Sequence, residues 1–200
     1  MVNFIGIILE LIFPPRCLTC RRLGDQILCA ECEKQIKPAV DAVGLYEGVL
    51  KTAILKLKFK GKKTLAEPLG KLMAEFLKVS LQEKIDLIIP VPLHENRLKS
   101  RGFNQSELLA EVIAERIGIP FESKALVRSR DTRPQFDLKI NERLKNVEGA
   151  FAIKDPAKIR GKLILLIDDI LTTGATAREC RKVLKESGAE RVHIFTLAKA

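Results

Sequence analysis

Two adjacent carboxylates and a short run of small, hydroxylated residues carry the clearest chemistry in the chain. The carboxylates belong to Asp168 and Asp169, and the run that follows them consists of Thr172, Thr173, Gly174, Ala175 and Thr176. Threonine hydroxyls and the backbone N–H groups around a glycine can bind a phosphate. Two carboxylates repel a phosphate, but they suit the vicinal hydroxyls of a ribose or a hydrated Mg²⁺. A ribose 5-phosphate satisfies both halves.

The residues on either side predict the elements that position this stretch. Residues 163–167 form an apolar run without polar alternation, which is typical of a strand buried on both faces of a parallel sheet. We expect this strand to end at the two acids. Residues 177–187 have the apolar spacing of a helix, with Gly188 placed as its C-terminal stop. A strand, tight loop and helix in this order bind anions at the carboxyl edge of an α/β sheet.

The order Asp-Asp-Ile-Leu-Thr-Thr-Gly-Ala-Thr over residues 168–176 resembles the phosphoribosyl-pyrophosphate (PRPP) signature of type I phosphoribosyltransferases. The resemblance implies that the paired acids hold the ribose hydroxyls and that the threonine loop wraps the 5-phosphate. An ordinary strand end with a helix cap is the alternative, because Asp and Thr are common there. The sequence lacks the glycine patterns of a P-loop and of a dinucleotide-binding fold.

Four cysteines form two Cys-x-x-Cys knuckles, which are separated by eight residues: Cys17, Cys20, Cys29 and Cys32. Four thiolates in paired knuckles suit tetrahedral Zn²⁺ in a structural role, holding a small lobe that has little core of its own. The sequence has no export signal, which argues against disulfides, and a second knuckle argues against a redox pair. An iron–sulfur centre is the alternative, because four cysteine ligands alone do not distinguish zinc from iron. Cys180 is predicted to be a small buried hydrophobe.

The N-terminal residues 1–15 are apolar and carry Glu10 near their middle. This segment is too short to span a bilayer and lacks the basic start of a secretory signal. We therefore expect a helix packed on the domain, with a helix lying on the membrane interface as the alternative.

A lysine-rich stretch follows at residues 51–63, with six lysines and no acid. It predicts either a solvated helix face or a contact with phosphate backbone or membrane. The candidate DNA-binding residues are Lys56, Lys58, Lys60, Lys62 and Lys63. The formal net charge of +10 favours an anionic partner, which could be nucleic acid, a membrane surface or a phosphorylated metabolite.

Two further segments narrow the resemblance. Residues 92–105 and residues 128–151, the latter with Arg133, Gln135 and Arg143, are similar to the ComF family of phosphoribosyltransferase-like competence proteins, which carry a four-cysteine zinc finger in front. The resemblance covers nearly the whole chain. It implies that residues 128–151, here named the flap segment, cover the site, although a plain surface connection also explains their polarity.

A second buried strand is predicted over residues 85–91, and residues 93–105 form the loop after it. In type I phosphoribosyltransferases this loop receives the pyrophosphate, and Arg97, Lys99 and Arg101 suit that role because the departing charge has to be neutralised. His94 is either a ligand contact or an ordinary surface histidine. Residues 107–117 are predicted to form a helix.

The expected fold is an α/β, type I phosphoribosyltransferase-like sheet, mostly parallel and flanked by helices, behind a small zinc-finger lobe. We expect residues 1–38 to form the apolar segment and finger, and residues 39–200 the main domain, with a lysine-rich helical lobe over 39–80 and the core over 81–200. At 200 residues the chain is long enough for one sizeable core.

The resemblance implies a protein of DNA uptake during natural transformation, located in the cytoplasm near the inner face of the membrane. It implies that the protein binds PRPP or a related ribose 5-phosphate with Mg²⁺, binds single-stranded DNA, and works with other competence proteins. The alternative is an active phosphoribosyltransferase that releases pyrophosphate onto an unidentified base or amine; a third hypothesis is a PRPP-sensing regulator. No acceptor-activating base is visible, since Thr172 stands where purine-salvage enzymes carry an aspartate. One tyrosine and no tryptophan leave little to stack a nucleobase. Catalytic residues stay unassigned.

Overall fold

The structure, a computed structural model, describes residues 16–24, 28–59, 61–81, 83–133 and 140–200. The predictions for residues 1–15, for Lys60 and for Gln135 lie outside these residues. The described strands are β1 Ala42–Leu45, β2 Leu87–Pro90, β3 Leu126–Arg128, β4 Phe151–Ile153, β5 Leu163–Leu171 and β6 Arg191–Lys199. The described α-helices are α1 Ala30–Glu33, α2 Gly48–Phe59, α3 Ala66–Ser80, α4 Glu95–Arg101, α5 Gln105–Ile117, α6 Ile140–Val147 and α7 Ala175–Glu186.

A four-stranded sheet with the order β1-β6-β5-β2 forms the centre of the molecule, and each neighbouring pair of its strands is parallel. Successive side chains of a strand point to opposite faces. Leu165 and Ile167 of β5 accordingly belong to one hydrophobic cluster, and Ile164 and Leu166 belong to the other. Both clusters are buried, which is why the run at residues 163–167 contains no polar alternation.

Helices cover the sheet on both sides. The first cluster contains the buried residues of α2, α3 and α5, and the second contains those of α7 together with β3 and β4. Cys180 of α7 is fully buried in the second cluster, so its prediction as a small buried hydrophobe is confirmed. No helix among the described residues is long and apolar enough to cross a membrane.

Strand β5 does not end at the two acids, as the sequence predicted, but continues to Leu171. The reason is the neighbouring strand: Ile170 pairs with Ala198 and Leu171 pairs with Lys199 in the β5–β6 ladder. Helix α7 begins at Ala175, two residues earlier than expected. The loop that joins strand and helix is therefore shorter than predicted, and the acids stand on a strand held by hydrogen bonds.

The segment at residues 93–105 also differs from the predicted loop, because it contains the short helix α4. His94 caps this helix, with its Nδ1 accepting a hydrogen bond from the backbone N–H of Asn96 at 3.3 Å. Gly102 ends it in the left-handed region at φ 80°. The side chain of Asn104 then caps α5 by accepting from the N–H of Ser106, so α5 starts at the edge where β2 ends.

Candidate functional site

A cavity of about 650 Å³ opens at the carboxyl ends of β2 and β5. Parallel strands of an α/β sheet place ligands at this edge. Both acids, Thr172 and Thr176 line the cavity. The cationic residues that line it come from four different helices and strands: Lys58, Arg97, Arg101, Arg128 and Arg143. Five cations around two carboxylates favour a ligand that carries several negative charges.

The carboxyl group of Asp168 is held by two donors. The Oγ of Ser106 and the backbone N–H of Asp169 each donate to its Oδ1, at 2.8 Å. Burial and the neighbouring charge of Asp169 raise the pKa of Asp168 to about 7, against the opposing effects of Lys58 and of the hydrogen bond from Ser106. Ser106, the second residue of α5, was not assigned to the site from the sequence.

This raised pKa has a consequence for stability. Because the folded protein holds the Asp168 proton up to about pH 7, whereas the unfolded chain releases it near pH 3.8, the contribution of Asp168 to stability becomes less favourable as the pH rises between these values. Asp168→Asn cannot ionise. We expect the variant to exceed wild type in free energy of unfolding by about 2 kcal/mol at pH 8, and the gain to shrink at pH 5. Urea denaturation at both pH values measures this, and an equal gain at both would contradict it.

Asp169 is paired with a lysine from outside the core of the sheet. The Nζ of Lys58 lies 2.6 Å from Asp169 Oδ2, and the two side chains are only 19% and 4% exposed. The structure thus places Lys58 inside the cavity and not on an open basic face. The sequence contained a signal for this position: Leu50, Ile54 and Leu57 form the buried stripe of α2, and Lys58 continues it one turn beyond Ile54.

The other candidate DNA-binding lysines occupy two kinds of position. Lys56 is partly buried and its Nζ donates to the backbone carbonyl of Leu18 at 2.7 Å, which ties α2 to the cysteine lobe. Lys62 and Lys63 are exposed, and the Nζ of Lys63 lies 5.3 Å from the centre of the Phe103 ring. Of the described lysines in this group, only Lys62 and Lys63 remain on an open surface.

The predicted pyrophosphate loop contributes two of its three cations to the cavity. Arg97 and Arg101 of α4 line it, whereas Lys99 is exposed on the same helix and is not among the lining residues. Arg97 also donates to the backbone carbonyl of Thr132 at 2.7 Å, so α4 is tied to the start of the flap segment. Residues two positions apart on a helix point in different directions, which explains why Arg97 and Arg101 line the cavity and Lys99 does not.

Arg128 and Arg143 of the flap segment complete the cationic wall, and the sequence did not assign either to the site. Arg128 is only 8% exposed; its Nη2 donates to Thr132 and its guanidinium lies 5.4 Å from the Phe151 ring centre. Burial, and then the charge of Arg97, lower its pKa. Its Nε has no hydrogen-bond partner among the described residues. A buried donor without a partner is costly, and this one belongs to a residue that lines the cavity.

The threonine loop, residues 172–176, leads directly into helix α7. Gly174 has φ 74°, a conformation that favours glycine, and it precedes the first turn of α7. The Oγ1 of Thr173 accepts from the N–H of Ala175 at 3.4 Å, and Arg178 donates to the carbonyl of Thr173 at 2.7 Å. The loop is thereby held against the N-terminus of a twelve-residue helix, where anions are favoured.

The four cysteines of the two knuckles come together at one point. Their Sγ atoms all lie within 4.8 Å of one another, and the Sγ atoms of Cys17 and Cys32, and of Cys20 and Cys29, are 3.6 Å apart. Zn–S bonds of about 2.3 Å in a tetrahedron separate the sulfurs by about 3.8 Å. Burial raises the pKa of the Cys17 thiol, but backbone N–H groups of the knuckles outweigh it and lower the pKa to about 6. The donor set therefore fits structural zinc.

Comparison with known domain families matches both parts of the chain. Residues 104–200 match the phosphoribosyl transferase domain, and residues 8–43 match the double zinc ribbon domain. The first match contains the acidic pair and the threonine loop, and the second contains all four cysteines.

Several relatives match over most of the chain. DNA utilization protein YhgH of Escherichia coli O157:H7 is 31% identical over 177 residues, which cover 86% of this chain and 77% of the relative. Competence protein F of Haemophilus influenzae is 28% identical over 222 residues, with 92% and 97% covered. Competence protein ComFC of Streptococcus pneumoniae is 33% identical over 194 residues, with 95% and 83% covered. The chain belongs to the ComF family.

The ComF fold expected from the sequence is confirmed: a type I phosphoribosyltransferase-like, mostly parallel sheet flanked by helices, behind an N-terminal four-cysteine cluster. Among solved structures, the allosteric regulatory enzyme of purine biosynthesis is similar with a TM-score of 0.46 and 23% identity, over 66% of this chain and 26% of that chain. The zinc ribbon match and the cysteine geometry together support a structural zinc in this ComF protein.

Proposed function

We propose that this ComF-family protein binds PRPP or a related ribose 5-phosphate together with Mg²⁺, binds single-stranded DNA, and acts in DNA uptake during natural transformation. The observation that carries the ligand is the cavity itself, where an acidic pair, a threonine loop at a helix N-terminus and several cations meet. The process comes from the relatives that are named competence protein and DNA utilization protein. We place the protein in the cytoplasm, with contact to the inner membrane face and to other competence proteins.

The parts of PRPP correspond to parts of the cavity. The 5-phosphate would bind the threonine loop and the first turn of α7, and the ribose hydroxyls would donate to Asp168 and Asp169. The pyrophosphate would face Arg97, Arg101 and Arg128. Mg²⁺ would enter with the pyrophosphate and neutralise part of its charge.

Calorimetric titration of the wild-type protein with PRPP in the presence of Mg²⁺ tests the ligand directly. Ribose 5-phosphate and inorganic pyrophosphate, each titrated separately, report the two halves of the cavity. We expect PRPP to bind more tightly than either half, because both sets of contacts are then made by one molecule. An absence of PRPP binding would remove the phosphoribosyl ligand from the proposed function.

For DNA, the exposed pair Lys62 and Lys63 is the part of the lysine-rich stretch that we expect to contact phosphates. Changing both to glutamine should weaken oligo(dT) binding and reduce the slope of log affinity against log salt by about 1.4, since each single-strand contact contributes about 0.7. Fluorescence anisotropy over a range of salt measures this. The matched control is Lys71→Gln/Lys78→Gln on α3, where both lysines pair with glutamates of the same helix. An equal loss of DNA affinity in both double variants would mean that binding depends on the net charge alone.

An active phosphoribosyltransferase is the second candidate, and one observation favours it. A carboxyl group with a pKa of about 7 in a cavity is typical of groups that take part in chemistry at neutral pH. Release of pyrophosphate from PRPP, measured with a panel of bases and amines and with single-stranded DNA, separates the enzyme from the binding protein. Release that is lost in Asp169→Ala would favour the enzyme.

A further inference from the structure

The acidic pair already has a cation at the place where a metal ion would bind. Lys58 Nζ lies 2.6 Å from Asp169 Oδ2, and both groups are largely shielded from water. The Oδ1 of Asp168 is taken by Ser106 and by the backbone N–H of Asp169. A divalent cation needs free carboxylate oxygens, and an ammonium group cannot be one of its ligands. The position beside Asp169 Oδ2 is therefore closed to a metal as long as Lys58 stays there.

We propose that Lys58 is a ligand-binding residue of this cavity and the resident cation of the acidic pair, so that the ribose half of the ligand is bound without a divalent cation. This inference rests on the proposed function and specifies how its site works. Mg²⁺ then belongs to the pyrophosphate half alone. From the sequence, Lys58 was considered as part of a solvated helix face or as a contact for DNA or a membrane.

The chemistry of the pair suits a ribose hydroxyl. An ammonium group carries three N–H donors, and Lys58 lines the cavity with its Nζ 2.6 Å from Asp169 Oδ2. A hydroxyl group placed between them can donate to Asp169 and accept from Lys58 at once. A second positive charge at this point would be repelled by the ammonium, and the repulsion is strong where water is largely excluded.

The position of Lys58 is fixed by two sets of contacts that its helix makes, one with the core and one with the cysteine lobe. Leu57 and Ile54 are fully buried in the first hydrophobic cluster. Lys56 donates to the carbonyl of Leu18, which lies between the first two cysteines. The last turn of α2 is thus held by the core and by the zinc lobe, and the ammonium is pre-positioned rather than free to sample the solvent.

Ribose 5-phosphate is the ligand that tests the inference, because it lacks the pyrophosphate that would bring its own Mg²⁺. Wild type should bind it with the same affinity in magnesium-free buffer and in millimolar Mg²⁺, with no chelator present, so that the zinc lobe stays intact. Lys58→Met should bind it about 10- to 100-fold more weakly without Mg²⁺, the equivalent of one charge-assisted hydrogen bond, and should regain affinity when Mg²⁺ is added.

Two further variants keep the experiment decisive. Lys58→Arg retains the positive charge, and its affinity for ribose 5-phosphate should not depend on Mg²⁺. This variant still tests the inference if Lys58→Met unfolds because Asp169 is left unpaired. Lys71→Met makes the same charge change at an exposed lysine of α3 and should bind like wild type. Circular dichroism and zinc content confirm that each variant is folded.

The outcomes separate the inference from the proposed function. Wild type that binds ribose 5-phosphate only with Mg²⁺, or Lys58→Arg that becomes dependent on Mg²⁺, would overturn the inference and leave the phosphoribosyl ligand standing. Wild type that binds neither ribose 5-phosphate nor PRPP under any condition would overturn both. Affinity that is indifferent to Mg²⁺ in wild type and dependent on it in Lys58→Met supports the inference.

Discussion

Replacing Asp168 and Asp169 together by alanine should weaken PRPP binding by about 100-fold or more, while inorganic pyrophosphate binds equally well or more tightly. The carboxylates are expected to accept charge-assisted hydrogen bonds from the ribose, each contributing about 1.5–3 kcal/mol. Two such bonds correspond to at least about two powers of ten in affinity. At pH 8, above the pKa of Asp168, the same substitution removes two negative charges and releases Lys58 from its partner, which favours an anion.

The opposite signs of these two effects make the prediction specific, and calorimetry with PRPP and with pyrophosphate measures both. A matched control is Glu111→Ala/Glu115→Ala, which makes the same change in net charge at exposed positions of α5. If PRPP and pyrophosphate lost affinity in parallel, the acids would be supporting the cavity and would have no direct contact with a ribose. If the control variant behaved like the double aspartate variant, the effect would be one of overall charge.

Much of this site follows from local sequence, because its central parts are neighbours in the chain. An apolar run, two acids and a threonine loop define a strand, a turn and a helix N-terminus, and the sheet edge comes with them. The exact end of β5 could not be predicted from the local sequence, because Ile170 and Leu171 belong to the sheet through their pairing with β6. That pairing depends on a strand that the local pattern at the acids does not contain.

The residues that sequence reasoning missed are those that other elements bring to the edge. Lys58 stands on α2 and Arg128 on β3, and each reaches the cavity only because of how its element packs against the sheet. A helical stripe placed Lys58 on the buried side of α2, but no pattern in one sequence says which edge of the sheet that helix approaches. The charge of the segment was misleading, because Lys58 was assigned together with the neighbouring lysines to an open basic face.

The structure of the segment after β2 was also only partly predictable from the sequence. Its prolines and its cations predicted a loop, and the seven-residue helix α4 is too short for apolar periodicity to indicate it. The helix matters for function, because its turn sends Arg97 and Arg101 to the cavity and leaves Lys99 outside. Composition identified the right segment, and the backbone decided which of its cations reach the site.

Replacing Cys17 and Cys32 together by serine should remove the zinc and destabilise the protein by at least about 3 kcal/mol. Serine hydroxyls are not zinc ligands of this kind, and binding of a structural zinc contributes about 10–16 kcal/mol in small domains. Both cysteines are buried and belong to the same hydrophobic cluster as α2, so the loss reaches the main core. Zinc content by mass spectrometry and urea denaturation measure the two parts of the effect.

Cys180→Ser is the matched control, because it makes the same chemical change at a buried cysteine in the other cluster. It should lose some stability through its buried hydroxyl and keep its full zinc content. A Cys17→Ser/Cys32→Ser protein that retained metal would contradict the four-cysteine site. Iron in the purified wild type, with the visible absorbance of an iron–sulfur cluster, would replace zinc as the metal.

The cysteine variant should also weaken ribose 5-phosphate binding more than Cys180→Ser does. The lobe and the cavity share α2: Lys56 donates to the carbonyl of Leu18 in the first knuckle, and Lys58, two residues on, pairs with Asp169. A lobe that loses its metal no longer holds Leu18 in place, so the last turn of α2 loses one of its two supports. If ribose 5-phosphate affinity were the same in both cysteine variants, the hydrophobic face of α2 alone would be enough to position Lys58.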